Sequence, residues 1–164
     1  MAITKDKKVE IVAKLADAFK EASSVAFVGF TKLTVADSSK MRAELADAGV
    51  QLYVAKKTLI RKALEKSSYA GTFPELPGEI AVAWTNGDDV TAPTRGVYAF
   101  GKKLKGVLTL LGGVFENSFI DALGATAVAT IPPLPVLRGM FVNVINSPIQ
   151  GLVVALDKIA QKKA

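Results

Sequence analysis

Short apolar runs alternate with amphipathic stretches through most of the chain. Four runs are rich in β-branched and aromatic side chains, which predicts strands. These runs lie at residues 25–30, 51–55, 79–84 and 107–115. Four longer stretches carry apolar residues at spacings of three and four, which predicts helices. They lie at residues 5–23, 35–48, 57–67 and 90–103, and a short Ala-rich stretch at 121–130 also favours a helix.

Local signals mark where the helices begin and end. Thr34 and Asp37, three residues later, form a capping box, and Gly49 ends the helix that follows. Asp89 is expected to cap the helix at 90–103, whose first turn tolerates Pro93. The inward faces of the first three helices are expected to carry Val9, Ile11, Val12, Leu15, Ala16 and Phe19, then Met41, Leu45 and Ala48, then Leu59, Ile60, Ala63 and Leu64.

The alternation of strands and helices predicts a fold of the α/β (α+β) class. We expect an N-terminal sandwich domain at residues 1–130, in which helices flank a small sheet. A Pro-rich hinge at 131–135 should be stiff, because each proline fixes its own φ and restricts the residue before it. A long, projecting C-terminal helix is expected to follow at residues 136–164.

The C-terminal stretch is apolar at helical spacing over an unusual width. Its apolar coverage exceeds one buried stripe, and a helix of this length spans roughly 43 Å, more than a small domain can cover. We therefore expect a partner to bury part of it. The expected contacts with that partner are Leu137, Met140, Phe141, Val144, Ile145, Ile149, Leu152, Val153, Leu156 and Ile159.

The same stretch repeats with a period of twelve residues. Residues 136–147 align with residues 148–159, matching Leu137 with Ile149, Gly139 with Gly151, Met140 with Leu152, Phe141 with Val153, Val142 with Val154 and Val144 with Leu156. A repeated apolar unit indicates a repeated partner, one copy for each unit. Pro148 begins the second unit and removes a helical hydrogen bond, so we expect a kink there.

Other interpretations of this stretch stay open at this point. Two copies of a short unit can arise by chance, and the helix could fold back as a core helix. Residues 136–156 are also long enough to cross a bilayer. Polar residues within the stretch disfavour a membrane span. They are Arg138, Asn143, Asn146, Pro148 and Gln150.

Charge and composition exclude several classes of function. The net charge is +6, and residues 1–66 hold 13 basic and 8 acidic side chains, so the basic surplus lies mainly in the first part of the chain. The chain contains no His and no Cys, which removes the usual metal ligands, the imidazole base and the thiolate nucleophile. No phosphate-binding glycine motif is present either. We therefore expect no enzyme, no metal and no cofactor, and a cytoplasmic protein without a secretory signal.

Basic side chains cluster near the predicted starts of helices. Such clusters suit the phosphates of a nucleic acid, since helix N-termini offer free N–H groups. A solvated helix face is the alternative interpretation. The clusters are Lys5, Lys7 and Lys8 at the chain start, Lys32 after the first strand, and Lys56, Lys57, Arg61 and Lys62 after the second.

Several segments together resemble one known family. They are GFTKLTV at residues 29–35, YVAKKTL at 53–59, LPGEIAVAW at 76–84, GGVFENSFIDA at 112–122, and PIQGLVVALDKIAQKKA at the end. The chain is similar along nearly its whole length to bacterial ribosomal stalk-base proteins, the ribosomal protein L-ten family.

The resemblance implies a structural protein of the large ribosomal subunit. Its N-terminal domain would bind large-subunit ribosomal RNA beside the neighbouring protein L-eleven, and its C-terminal helix would carry dimers of the stalk protein L-seven/L-twelve, which recruit translational GTPases. No membrane is implied. The RNA contacts carried over from the family are Thr4, Lys5, Lys7, Lys8, Gly29, Phe30, Thr31, Lys32, Leu33, Thr34, Lys56, Lys57, Thr58 and Arg61.

Two features of this chain qualify the resemblance. The family commonly has Asn where this chain has Lys57, a change that keeps a donor and adds a charge. Two apolar units fit after Pro135, so we expect two stalk dimers, whereas family members with longer ends carry three. The competing hypothesis is a basic adaptor whose C-terminal helix self-associates or anchors to a membrane.

Overall fold

The structure is a computed structural model that describes residues 5–65, 67, 69–71, 73–74, 76–87, 89–104 and 106–163. The chain divides into two compact units, Met1–Ile131 and Pro132–Ala164.

The first unit alternates helices and strands. Its helices are α1 (Lys5–Glu21), α2 (Val35–Asp47), α3 (Lys57–Leu64), α4 (Ala92–Lys103) and α5 (Ala122–Ala129). Its strands are β1 (Ser24–Phe30), β2 (Val50–Val54), β3 (Glu79–Thr85), β4 (Leu108–Phe115) and β5 (Ser118–Asp121). The predicted α/β class is confirmed.

The five strands form one antiparallel sheet in the order β2-β3-β1-β4-β5. Helices cover both faces, so the central strands are buried on both sides and have continuous apolar sequences. Side chains along β1 point alternately to the two faces. Val25 and Phe27 pack with α1 and α3, while Ala26 and Val28 pack with α2 and α4.

The sequence-predicted inward faces are largely confirmed. Leu59, Ile60, Ala63 and Leu64 of α3 are all buried, as are Val12, Leu15, Ala16 and Phe19 of α1 and Met41 and Leu45 of α2. Two assignments are wrong, because Val9 and Ala48 are exposed. Val9 lies among residues 6–10 of α1, all of which are exposed, and Ala48 is the C-cap residue, where the chain turns into β2.

Helix α3 is three residues shorter than predicted. It ends at Leu64, and the chain leaves the helix to bond with the opposite sheet edge. Ala70 donates to the carbonyl of Asn117 at 3.0 Å, and Phe119 donates to the carbonyl of Ala70 at 2.9 Å. Tertiary pairing therefore overrides the helical periodicity that continues to residue 67.

Asp89 does not cap α4 as predicted. The helix begins at Ala92, two residues later than predicted, with Thr91 at the cap position and no side-chain capping bond. The Asp89 carboxylate instead accepts from the backbone and hydroxyl of Thr91 at 3.1 and 2.8 Å, and from Arg95 at 2.6 Å. Pro93 lies in the first turn, as predicted.

Strand β5 has no counterpart in the sequence prediction. It forms a tight hairpin with β4, in which Glu116 and Asn117 take left-handed φ values of 49° and 61°. Two consecutive residues with positive φ indicate a turn that matches the twist of a hairpin.

The second unit is a single helix, α6 (Leu134–Lys163). It begins two residues before the expected start, because the carbonyl of Pro133 accepts from the N–H groups of Val136 and Leu137. The helix continues through Pro148, and the kink expected there stays a prediction.

Candidate nucleic-acid interface

Three strands meet at one end of the sheet, where the sequence-predicted RNA contacts lie. Phe30, the last residue of β1, pairs with Glu79 at the start of β3 and with Leu108 at the start of β4. Strand β2 runs in the same direction as β1 and ends nearby, with Val54 paired to Ala81. The segments that follow β1 and β2 are therefore brought to the same sheet end.

The segment after β1 forms a tight, exposed turn. The N–H of Thr31 donates to the carbonyl of Val107 at 3.0 Å, and Lys32 takes a left-handed φ of 54°. Phe30 and Leu33 pack partly against the core on the α2–α4 face. Within this turn, Thr31 and Lys32 are therefore exposed while Phe30 and Leu33 hold it in place.

Gly29 differs from the other predicted RNA contacts because it is buried within β1. A Cβ atom there would lie 2.9 Å from the Thr109 hydroxyl and 3.1 Å from a methyl carbon of Leu111. The residue thus has a packing role, letting β4 side chains lie close to β1.

A cavity of about 590 Å³, which we name the strand-end cavity, opens beside this sheet end. It joins parts of the chain that are distant in sequence. Among its lining residues are the predicted contacts Phe30, Lys56, Lys57 and Thr58, together with Ile11 of α1 and Glu79 of β3. The structure therefore brings Phe30, from the predicted contact segment at residues 29–34, beside the predicted cluster at Lys56 and Lys57.

Helix α1 adds the N-terminal basic cluster to the same region. Lys7 and Lys8 are exposed and precede Ile11 by about one helical turn, so they lie on its N-terminal side. Thr4 and the side chain of Lys5 lie outside the described part of the chain.

The start of α3 is suited to an anion. Lys56 occupies the N-cap position without a side-chain capping bond, and its carbonyl accepts from Leu59 and Ile60 at 2.8 and 3.2 Å. Lys57 and Thr58, which form the first turn, are exposed. The helix dipole and the early N–H groups favour negative charge at this position.

A second cavity, the loop cavity, lies on the other side of Lys57 and Thr58. Its volume is about 560 Å³. Helix α3 contributes Lys57, Thr58 and Arg61, and the following segment contributes Phe73, Pro74, Leu76 and Pro77. The guanidinium carbon of Arg61 lies 6.0 Å from the centroid of the Phe73 ring. Sequence reasoning missed this second group, since a Pro-rich loop shows no periodic pattern.

Among the described residues near the interface, the acidic ones include Asp6, Glu10, Glu65 and Glu79, and two of these pair with basic side chains. Glu79 lines the strand-end cavity. Glu10 of α1 bonds to Lys14 at 2.7 Å, and this hydrogen bond lowers the pKa of the Glu10 carboxyl. Arg61 has an exposed i,i+4 contact with Glu65 at 3.4 Å, which solvent screens. Positive charge therefore dominates this end of the first unit.

Helix α6 exposes all of the predicted partner contacts. Its large apolar side chains are between 37% (Leu137) and 70% (Val144) exposed. By length and composition, it is the one helix of the described residues that could cross a membrane. Exposed apolar surface of this extent is typical of a site that a partner or a membrane covers.

The sequence of the chain is similar to those of known proteins. A sequence profile of the family described as Ribosomal protein L10 matches residues 3–102. A Bacillus cereus (strain ATCC 14579) protein named Large ribosomal subunit protein uL10 is 31% identical over 163 residues, which cover 99% of this chain and 97% of the relative. The protein of the same name from Staphylococcus carnosus (strain TM300) is 31% identical over 158 residues, covering 96% and 94% of the two chains.

These matches define a structural protein of the large ribosomal subunit, associated with the ribosome in the bacterial cytoplasm. The chain belongs to the ribosomal protein L10 family. The expectation of a ribosomal protein that works in translation and is not an enzyme is therefore confirmed.

Proposed function

We propose that the first unit binds large-subunit ribosomal RNA through the sheet end at Phe30, Lys56 and Lys57. The observation that carries this proposal is the strand-end cavity, which joins Phe30 at the end of β1 to Lys56 and Lys57 after β2. The exposed Lys7 and Lys8 of α1 lie about one helical turn before Ile11, which also lines it. Lysines beside an open helix start neutralise phosphates without reading the sequence of bases. The neighbouring protein L-eleven would contact the same RNA region.

Charge reversal tests the RNA interface. Lys57→Glu should weaken binding to a large-subunit RNA fragment and lower the salt dependence of log K by roughly 0.7–0.9 for each lost phosphate contact. Lys20→Glu is the matched control, because Lys20 is exposed in the last turn of α1, away from the start where Lys7 and Lys8 lie. If both variants weakened RNA binding equally, the net charge of the protein, and not the position of Lys57, would determine RNA affinity.

We infer that α6 anchors two dimers of the stalk protein L-seven/L-twelve, which recruit translational GTPases. The exposed apolar surface and its twelve-residue repeat support this role. At about 100° per residue, a shift of twelve residues turns equivalent side chains by about 120° and moves them about 18 Å along the axis. The two units therefore lie on different sides of the helix, which suits two separate partners better than one continuous stripe.

Removing residues 132–164 separates the two proposed roles. RNA binding should persist while binding of the stalk protein is lost. The alternative, a membrane-anchored or self-associating adaptor, draws support from the length and apolar character of α6. It predicts that the full chain binds lipid vesicles or forms homo-oligomers in the absence of the stalk protein.

A further inference from the structure

We propose that the loop cavity binds the base of a single unpaired RNA nucleotide. This inference rests on the proposed RNA-binding function and extends it from phosphate contacts to base stacking. The cavity shares Lys57 and Thr58 with the strand-end cavity, so it continues the same interface. Its volume of about 560 Å³ lies within the usual range of small-ligand sites, roughly 300–1,000 Å³.

The lining of the loop cavity matches the parts of a nucleotide. Lys57 and the start of α3 suit the phosphate. Phe73 offers an aromatic surface, and the Arg61 guanidinium over its ring offers a second planar group for stacking. The Thr58 hydroxyl can donate to or accept from a base edge.

The ring of Phe73 is held in a fixed position by other aromatic side chains. Its centroid lies 6.1 Å from that of Phe27 and 5.8 Å from that of Phe119, which in turn lies 5.8 Å from that of Tyr69. Phe73 itself is only half-buried. A ring that its neighbours hold in place loses little entropy when a base stacks on it.

The base must be unpaired to enter such a cavity. In a double helix the faces of the bases are stacked on each other, and proteins contact mainly phosphates and sugars. A base that projects from a loop or bulge exposes its faces. Stacking should therefore add affinity for single-stranded RNA only, whereas the phosphate contacts of Lys57 act on both forms.

The test compares two probes with the full chain. One is a short oligoadenylate, and the other is a fully paired RNA duplex with the same number of phosphates. Phe73→Leu should weaken binding of the oligoadenylate by roughly five- to a hundredfold, the range for loss of one stacked base, and change duplex binding less than about twofold. Phe73→Tyr, which keeps the ring, should bind both probes as the natural chain does.

Phe119→Leu controls for loosening of the aromatic cluster. Phe119 packs against Phe73 but does not line the loop cavity. The Phe119→Leu variant should bind oligoadenylate with an affinity within about threefold of that of the natural chain. A loss as large as that of Phe73→Leu would mean that packing, and not stacking, is responsible, and would overturn the proposal.

A measurement on the unaltered chain covers the case in which variants fold poorly. Ring-proton NMR signals of Phe73 should shift on addition of oligoadenylate, whereas those of Phe100, buried on the opposite sheet face, should not. Absence of a Phe73 shift would overturn the proposal. Three other results would also overturn it. Phe73→Leu could weaken binding of both probes equally or of neither, or the natural chain could fail to bind oligoadenylate.

The outcomes also separate this inference from the proposed function. If Lys57→Glu weakens binding to ribosomal RNA while Phe73→Leu leaves RNA binding unchanged, the proposed RNA interface is supported and the nucleotide site is rejected. In that case the loop cavity is available to a protein neighbour. If neither variant affects ribosomal RNA binding, both proposals fail.

Discussion

Thr34 and Asp37 exchange two hydrogen bonds at the start of α2. The N–H of Asp37 donates to the Thr34 hydroxyl oxygen at 3.2 Å, and the hydroxyl donates to the Asp37 carboxylate at 2.6 Å. The pair fixes the end of the turn that presents Lys32. Thr34, expected from the family resemblance to contact RNA, therefore also has a structural role.

Loss of this cap should lower stability measurably. Thr34→Ala is expected to reduce the free energy of unfolding by about 1 kcal/mol, because a first-turn N–H of α2 loses its acceptor. Thr34→Ser keeps the hydroxyl and should lose much less. Urea titration measures both, and equal stability of all three chains would contradict the assigned capping role.

The contacts of Asp89 predict a dependence of stability on pH. The hydrogen bond from Arg95 chiefly lowers the pKa of the Asp89 carboxyl, Thr91 adds to this effect, and partial burial opposes it. Because the folded-state pKa is depressed, the stabilisation is present above the unfolded-state pKa of about 3.9 and is lost as pH falls through the folded-state value.

Asp89→Asn should remove this dependence. The variant is expected to be less stable than the natural chain at pH 7 by at most about 1 kcal/mol, since the ion pair is partly exposed. The difference should be smaller in acid below the folded-state pKa of the carboxyl, where the natural side chain is also neutral. Urea midpoints at the two pH values measure it, and a difference that is constant with pH would exclude the ion pair as its cause.

The close approach of β4 to β1 requires a glycine at position 113. A Cβ atom at Gly113 would lie 2.5 Å from the carbonyl oxygen of Val25, which is backbone and cannot move aside cheaply. Gly113→Ala should therefore lower the free energy of unfolding by roughly 2–4 kcal/mol. Thermal melting measures this loss of stability. An unchanged melting temperature would show that β1 and β4 can move apart at position 113 without loss of stability.

The same substitution in α6 should have the opposite effect. A Cβ atom at Gly139 meets no atom within 4 Å. Gly139→Ala should favour the helix by about 1 kcal/mol, seen as higher helix content of the chain without its partner. Circular dichroism compares the two chains. A fall in helix content would contradict an open, solvent-facing site at this position.

Local periodicity was enough to predict most of the helices and strands. Leu59, Ile60, Ala63 and Leu64 show why, since their helical spacing matches the face that the sheet covers. Strand β5 was not predicted, because four residues are too few to establish an alternating pattern. The sequence Glu116-Asn117 could have indicated the turn before it. The role of Asp89 was missed because Arg95, six residues away, competes for its carboxylate.

The candidate site was predictable only in part. Basic clusters at helix starts are visible in the sequence, but their meeting at one sheet end depends on the long-range strand order β2-β3-β1-β4-β5. Gly29 matched a family motif and is nevertheless buried, because the motif includes residues that support the turn as well as residues that form its surface. No sequence pattern marks Phe73 as a site residue, because the placement of the Arg61 guanidinium over its ring arises from tertiary packing.

Native mass spectrometry of the complex with the stalk protein tests the central claim of two docking units on α6. The full chain should bind two dimers, and a chain ending at residue 147, before Pro148, should bind one. The shortened chain retains the first unit and the interface around Lys57, so its RNA affinity should be unchanged. Three dimers on the full chain, or two on the shortened chain, would contradict the two-unit account.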